Sequence, residues 1–266
     1  MMEPFYFSRE PKSLFGIYHS PQGGVTRNAG VVLCYPMGQE YIRSHRAFLQ
    51  LAKLLSSTGF HVLRFDFYGC GDSEGDSNQG SIRQWIADIS VAVDELRGGC
   101  DVDRICLVGL RLGGSLAIMA GAERGDIDGI VLWNPIVKGR TYLEELTNLH
   151  KQWLRGSFAR PQLDPKGQNN REILGFPITG SMTGELQSID LLRLQQKPAN
   201  NIFILESDRV AGNKQLKKHL NGINADLSYK YVPCPKIWIK NDKAGKGLVP
   251  IATLQSIVTW ISEVLQ

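Results

Sequence analysis

Residues 104–117 constrain this chain more than any other stretch. Read as RICLVGLRLGGSLA, they pass from an aliphatic, β-branched run through a glycine-bounded turn into small residues. The run has the length and apolarity of a strand buried on both faces. The small residues after it suit a helix packed closely against that strand. The turn is Gly109-Leu110-Arg111-Leu112-Gly113, with an arginine at its centre. A buried strand feeding straight into a helix calls for an α/β arrangement with crossover connections.

The rest of the chain repeats this rhythm. Residues 5–7 and 14–19 alternate as two antiparallel strands. Residues 29–35 form a second buried run, stopped by Pro36, and helical periodicity follows over 43–57 with Gly59 closing it. A strand is expected at 60–66, then an irregular glycine-rich loop (DFYGCGDSEG, 66–75) that Asp66 and Asp72 would brace through hydrogen bonds to backbone N–H groups. Ser81 is placed to cap a helix running to about 97. A strand at 127–133 precedes a break in the alternation over 136–198, with helices expected at 140–154 and 183–194. Strands near 201–206 and 227–232 and helices near 213–220 and 250–265 complete the pattern.

Composition excludes several classes of protein. A net charge of +4, scattered along 266 residues, gives no nucleic-acid footprint. The five cysteines show no C-x-x-C spacing, so neither a zinc site nor a dithiol is indicated, and no cofactor is expected. Cys34 and Cys106 fall within apolar strands and read as core residues. The N-terminus lacks a basic segment followed by an apolar run, and no apolar stretch reaches the roughly 18 residues of a membrane span. A cytoplasmic protein is the expectation.

The order of elements, the glycine-bounded turn and the segment RFDFYGCGDS at 64–73 together resemble the α/β-hydrolase superfamily, nearest its serine-aminopeptidase-like branch. Within it, YPMGQE at 35–40 followed by Ser44-His45-Arg46 resembles bacterial exosortase A system-associated hydrolases, which also carry arginine in this turn. The resemblance implies an α/β-hydrolase fold: a mostly parallel central sheet, helices on both faces and a small helical lid insertion. Residues 1–135 and 199–266 would form the core, and 136–198 the lid.

In this superfamily the turn is the nucleophile elbow, G-x-S-x-G. Arg111 stands at the serine. A guanidinium stays protonated and offers no lone pair for attack. Ser115, one helical turn on, lacks the exposed geometry of an elbow. The triad histidine would lie at 233–247, where there is none; the last histidine, His219, falls within a predicted helix. The resemblance places the triad acid at Asp208, with Glu206 a lesser alternative.

Other parts of the site do not depend on the serine. The backbone N–H groups of Met37 and Leu112 match the superfamily's oxyanion donors. Gln39 and Glu40 stand at the pocket edge, Glu40 either as a base of raised pKa or as a cap for the helix near 43. Trp133, Trp153 and Phe176 would line a pocket or fill core. A cation at a helix N-terminus needs a compensating anion. Arg111 therefore bridges Glu40 or Asp208, binds an anionic ligand, or takes part in catalysis.

Without the Ser and His of the triad, the expected function is acting on or binding an acyl or anionic small molecule, presented free or on a carrier, by altered chemistry. A non-catalytic ligand-binding or protein-interaction module is the first alternative. A conventional ester or thioester hydrolase with a relocated triad is the second.

Overall fold

The computed structural model describes residues 1–9, 12–155, 171–207, 211–239 and 248–266. In chain order the elements are β1 (Met2–Arg9), β2 (Lys12–His19), β3 (Ala29–Cys34), α1 (Gly38–Ser57), β4 (His61–Phe65), α2 (Ile82–Cys100), β5 (Arg104–Leu110), α3 (Leu112–Arg124) and β6 (Gly129–Trp133). There follow α4 (Gly139–Arg155), β7 (Arg171–Ile173), β8 (Phe176–Ile178), α5 (Gly180–Ser188), β9 (Asn201–Glu206), α6 (Ala211–Gly222), β10 (Asp226–Tyr231) and α7 (Ile251–Val264).

Eight strands form one sheet in the order β1-β2-β4-β3-β5-β6-β9-β10. The pairs from β4 through to β10 are parallel, and β2 pairs antiparallel with β1 and β4. The apolar side chains divide into two cores, one per sheet face. α1 and α7 close one core through Phe48, Leu51, Ile257 and Ile261; α2 and α3 close the other through Ile89, Val93, Leu116 and Ile118. The sheet is therefore mostly parallel and covered on both faces, as the run of two-sided apolar strands predicts. Cys34 and Cys106 are buried in it. The connection after β3 runs toward β4 and the one after its neighbour β5 runs the opposite way toward β6, and a crevice at the carboxyl ends of such strands is where α/β sheets bind ligands.

Local chemistry explains most boundaries. The Ser81 hydroxyl accepts from the N–H of Gln84 and starts α2. Asp66 accepts from the Asp72 N–H at 3.1 Å and from the Tyr41 hydroxyl at 2.8 Å. Asp66 thus braces the glycine-rich loop, while Asp72 contributes its backbone rather than its carboxylate. Three expectations need correction. α1 begins at Gly38, five residues before 43, so Gln39 and Glu40 lie in its first turn. The helix expected at 183–194 is α5, ended by extended Ile189, followed by a 3-10 turn at Leu191–Arg193. The unexpected hairpin β7–β8 turns at Leu174-Gly175, both at positive φ.

A buried polar relay ties β2 to β4. Arg64 Nε donates to His19 Nε2 at 2.9 Å and Nη1 donates to the Tyr35 hydroxyl at 2.9 Å. Accepting at Nε2 requires a neutral imidazole. Burial, with Arg64 adding repulsion, depresses the His19 pKa from 6.5 to about 4. The unfolded chain therefore binds the extra proton between these values. The His19 contribution is complete above pH 6.5 and is lost as pH falls toward 4, amounting to about 2–3 kcal/mol. Thermal melts between pH 4 and 7 check this: His19→Gln, which keeps an acceptor for Arg64, flattens the acid limb, and an unchanged limb contradicts the assignment.

Candidate functional site

The turn between β5 and α3 is built around missing side chains. A Cβ on Gly109 would run into the Gly113 carbonyl, and one on Gly113 would run into the carbonyl oxygens of Cys34 and Tyr35. Only glycine allows the chain to reverse this tightly against the end of β3. Between them Arg111 sits at φ 54°, ψ −122°, a conformation that non-glycine residues rarely adopt. Its backbone has the sharp geometry of a strand-to-helix elbow.

The Arg111 side chain is buried and doubly paired. Nε donates to Glu40 Oε1 at 3.1 Å, and Nη2 donates to Glu145 Oε2 at 2.6 Å. The Tyr142 hydroxyl donates to the second oxygen of Glu40 at 2.8 Å. The guanidinium also lies 5.1 Å from the centre of the Trp238 ring and 5.4 Å from that of Tyr142. Three elements bring this about: the first turn of α1 delivers Glu40, the elbow delivers Arg111, and α4 presents Tyr142 and Glu145 three residues apart on one face.

Electrostatics hold Arg111 in its charged form. Burial opposes the charge on Arg111, but the carboxylates of Glu40 and Glu145 outweigh it and keep the guanidinium protonated. Burial pushes the Glu40 carboxyl above its usual range against the pull of Arg111 and the Tyr142 hydroxyl. The two carboxylates differ in setting. The Glu40 side chain is 3% exposed and that of Glu145 is 36% exposed. Glu40 therefore neither caps α1 nor opens to solvent; its carboxylate serves Arg111.

A cavity of about 520 Å³ adjoins this cluster, lined by Arg111, Tyr142 and Glu145, by Pro135–Lys138, and by Lys236 and Trp238 among others. Among the described residues, no serine, cysteine or histidine lines it. Ser115 is fully buried, donating to the Ile136 carbonyl at 2.7 Å and accepting from the Ile136 N–H at 3.0 Å, so it staples α3 to the segment after β6. His219 is bonded to the Leu194 carbonyl and His150 to the Leu174 N–H.

Among the described residues, the side chains of the remaining expected site residues do not line the 520 Å³ cavity. Met37 lines a separate cavity of about 130 Å³ with Phe176. Leu112 is fully buried and lines none of the cavities described, though the first N–H of a helix has no carbonyl of its own helix to bond. Gln39 borders a 20 Å³ void and its Oε1 is buried without a partner. Asp208 lies outside the described residues. Glu206 is buried and accepts from the Tyr229 hydroxyl at 2.9 Å. Trp133 is core and Trp153 is exposed, and neither lines the 520 Å³ cavity. The residues that sequence reasoning missed are Tyr142, Glu145 and Trp238. Trp238 had one available signal: an apolar Ile237-Trp238-Ile239 triplet in an otherwise polar loop.

The sheet order, the two helical layers and the elbow define an α/β-hydrolase. A family model described as "Serine aminopeptidase, S33" matches residues 29–182, more than half of the chain, and the chain belongs to that family. Human protein ABHD12B is 28% identical over 150 residues, 49% of this chain and 41% of that protein. The human mitochondrial palmitoyl-protein thioesterase ABHD10 is 30% identical over 93 residues, 35% of this chain and 29% of that protein. These matches thus span less than half the length of either relative. Among solved structures, Est1E of Butyrivibrio proteoclasticus bound to ferulic acid superposes with TM-score 0.68 at 14% identity, covering 98% of each chain. The Pyrococcus furiosus esterase Pf2001 gives 0.69 at 15% identity, covering all of this chain and 92% of that one. At such identities the likeness is one of fold. No helix among the described residues is long and apolar enough to cross a membrane.

Proposed function

We propose that this chain binds an acyl or anionic small molecule in the 520 Å³ cavity without forming a serine acyl-enzyme. The observation that carries the reading is the elbow itself: Arg111 fills the nucleophile's place and is committed to Glu40 and Glu145. A guanidinium held protonated is neither nucleophile nor base. Glu40 does not line this cavity, which argues against its serving as a general base there. What remains is a recognition surface. Among the described residues, Arg111, Lys138 and Glu145 line it beside an apolar wall of Pro135, Ile136 and Val137. The volume suits a small-molecule ligand. The palmitoyl-protein thioesterase among the relatives supports the acyl part of the reading.

Calorimetric titration with octanoate tests it. Saturable binding that weakens with salt, with the ligand recovered unchanged, is the expected result. No binding of octanoate or of any other medium-chain acid would remove the support for this reading.

A further inference from the structure

The two carboxylates on Arg111 are not equivalent, and the difference has a functional consequence. Glu40 is sealed and held from its other side by Tyr142. Glu145 is one-third exposed, no second hydrogen bond among the described residues holds its carboxylate, and it lines the cavity together with Arg111. Releasing Glu145 requires only its own side chain to rotate into solvent. Tyr142, one turn back on α4, can stay on Glu40, so the buried half of the cluster remains intact. Arg111 Nη2 would then offer a charge-assisted hydrogen bond toward the cavity, beside an Nη1 that has no hydrogen-bond partner among the described residues.

We infer that Glu145 is an internal stand-in for the ligand's carboxylate: a carboxylate-bearing ligand docks on Arg111 by displacing Glu145. This rests on the proposed function and adds the ligand's anchoring group and a built-in competitor. A bidentate guanidinium–carboxylate pair is the favoured geometry for such an exchange. Three buried residues lining the cavity hold polar atoms without a partner: Asn134 Nδ2, Asn213 Oδ1 and Trp238 Nε1. Asn134 is oriented by its own Oδ1, which accepts from the Ser207 N–H at 2.9 Å.

The test compares octanoate binding to wild type, Glu145→Gln and Glu144→Gln, with octanol as the uncharged probe and thermal melts to verify folding. Glu144 is exposed and does not line the cavity, so it controls for net charge. The expected result is that Glu145→Gln tightens octanoate about tenfold, leaves octanol unchanged, and that Glu144→Gln has no effect. Binding by Glu145→Gln alone also supports the inference. Equal or weaker octanoate binding by Glu145→Gln, or an equal gain from Glu144→Gln, overturns it while leaving the proposed function standing. Octanoate binding by none of the three proteins overturns both.

Discussion

Arg111→Met is expected to destabilise the protein by about 3–5 kcal/mol, the cost of leaving one member of a buried ion pair uncompensated. Methionine replaces most of the packed stem but strips the cation from Glu40, whose residue is 2% exposed. Among the described residues, Tyr142 would remain as the sole donor to that carboxylate. For a chain of this length the melting temperature should fall by roughly 10 °C. Two further measurements identify the cause. Adding Glu40→Gln to Arg111→Met should recover most of the loss, because a neutral amide no longer needs the guanidinium. The deficit should also depend on pH. Losing Arg111 raises the folded pKa of Glu40 further above the unfolded value, so the folded state binds the extra proton. The deficit therefore grows as pH rises above about 4.5 and shrinks below it. A variant as stable as wild type at pH 7 would mean that the pair does not hold these loops together.

Gly113→Ala should cost about 1–3 kcal/mol, toward the upper end. The added methyl meets the carbonyl oxygens of Cys34 and Tyr35, and backbone at the end of a central strand has no rotamer with which to give way. Gly98→Ala in α2 is the matched control. Its Cβ would meet nothing within 4 Å and its φ is ordinary, so the change should stabilise by about 0.5–1 kcal/mol. Opposite signs in urea melts confirm that the elbow glycine serves close approach. Equal and small effects at both positions would contradict it.

Much of the fold was legible because two-sided apolar strands and amphipathic helices leave different periods in sequence. The pairing of Arg111 with Glu40 was legible as one of several outcomes, since a cation beside a helix N-terminus demands an anion nearby. The errors have physical causes. α1 begins before its apolar period does, with Gly38 at φ +57° making the entry. The β7–β8 hairpin turns on Leu174 at φ 54°, where a turn of this hand normally advertises itself with asparagine or aspartate. Tyr142 and Glu145 reach Arg111 from more than 30 residues away, and Trp238 from over 120. Proximity of that kind is set by how elements cross the sheet and leaves no trace in local spacing.

The most direct measurement of the central claim is turnover of octanoyl thioesters and p-nitrophenyl esters, followed by intact-protein mass spectrometry after exposure to a serine-directed fluorophosphonate. Product formation no faster than background and an unmodified mass are expected. Turnover that is lost in Arg111→Ala, or an adduct on any serine, would contradict that claim.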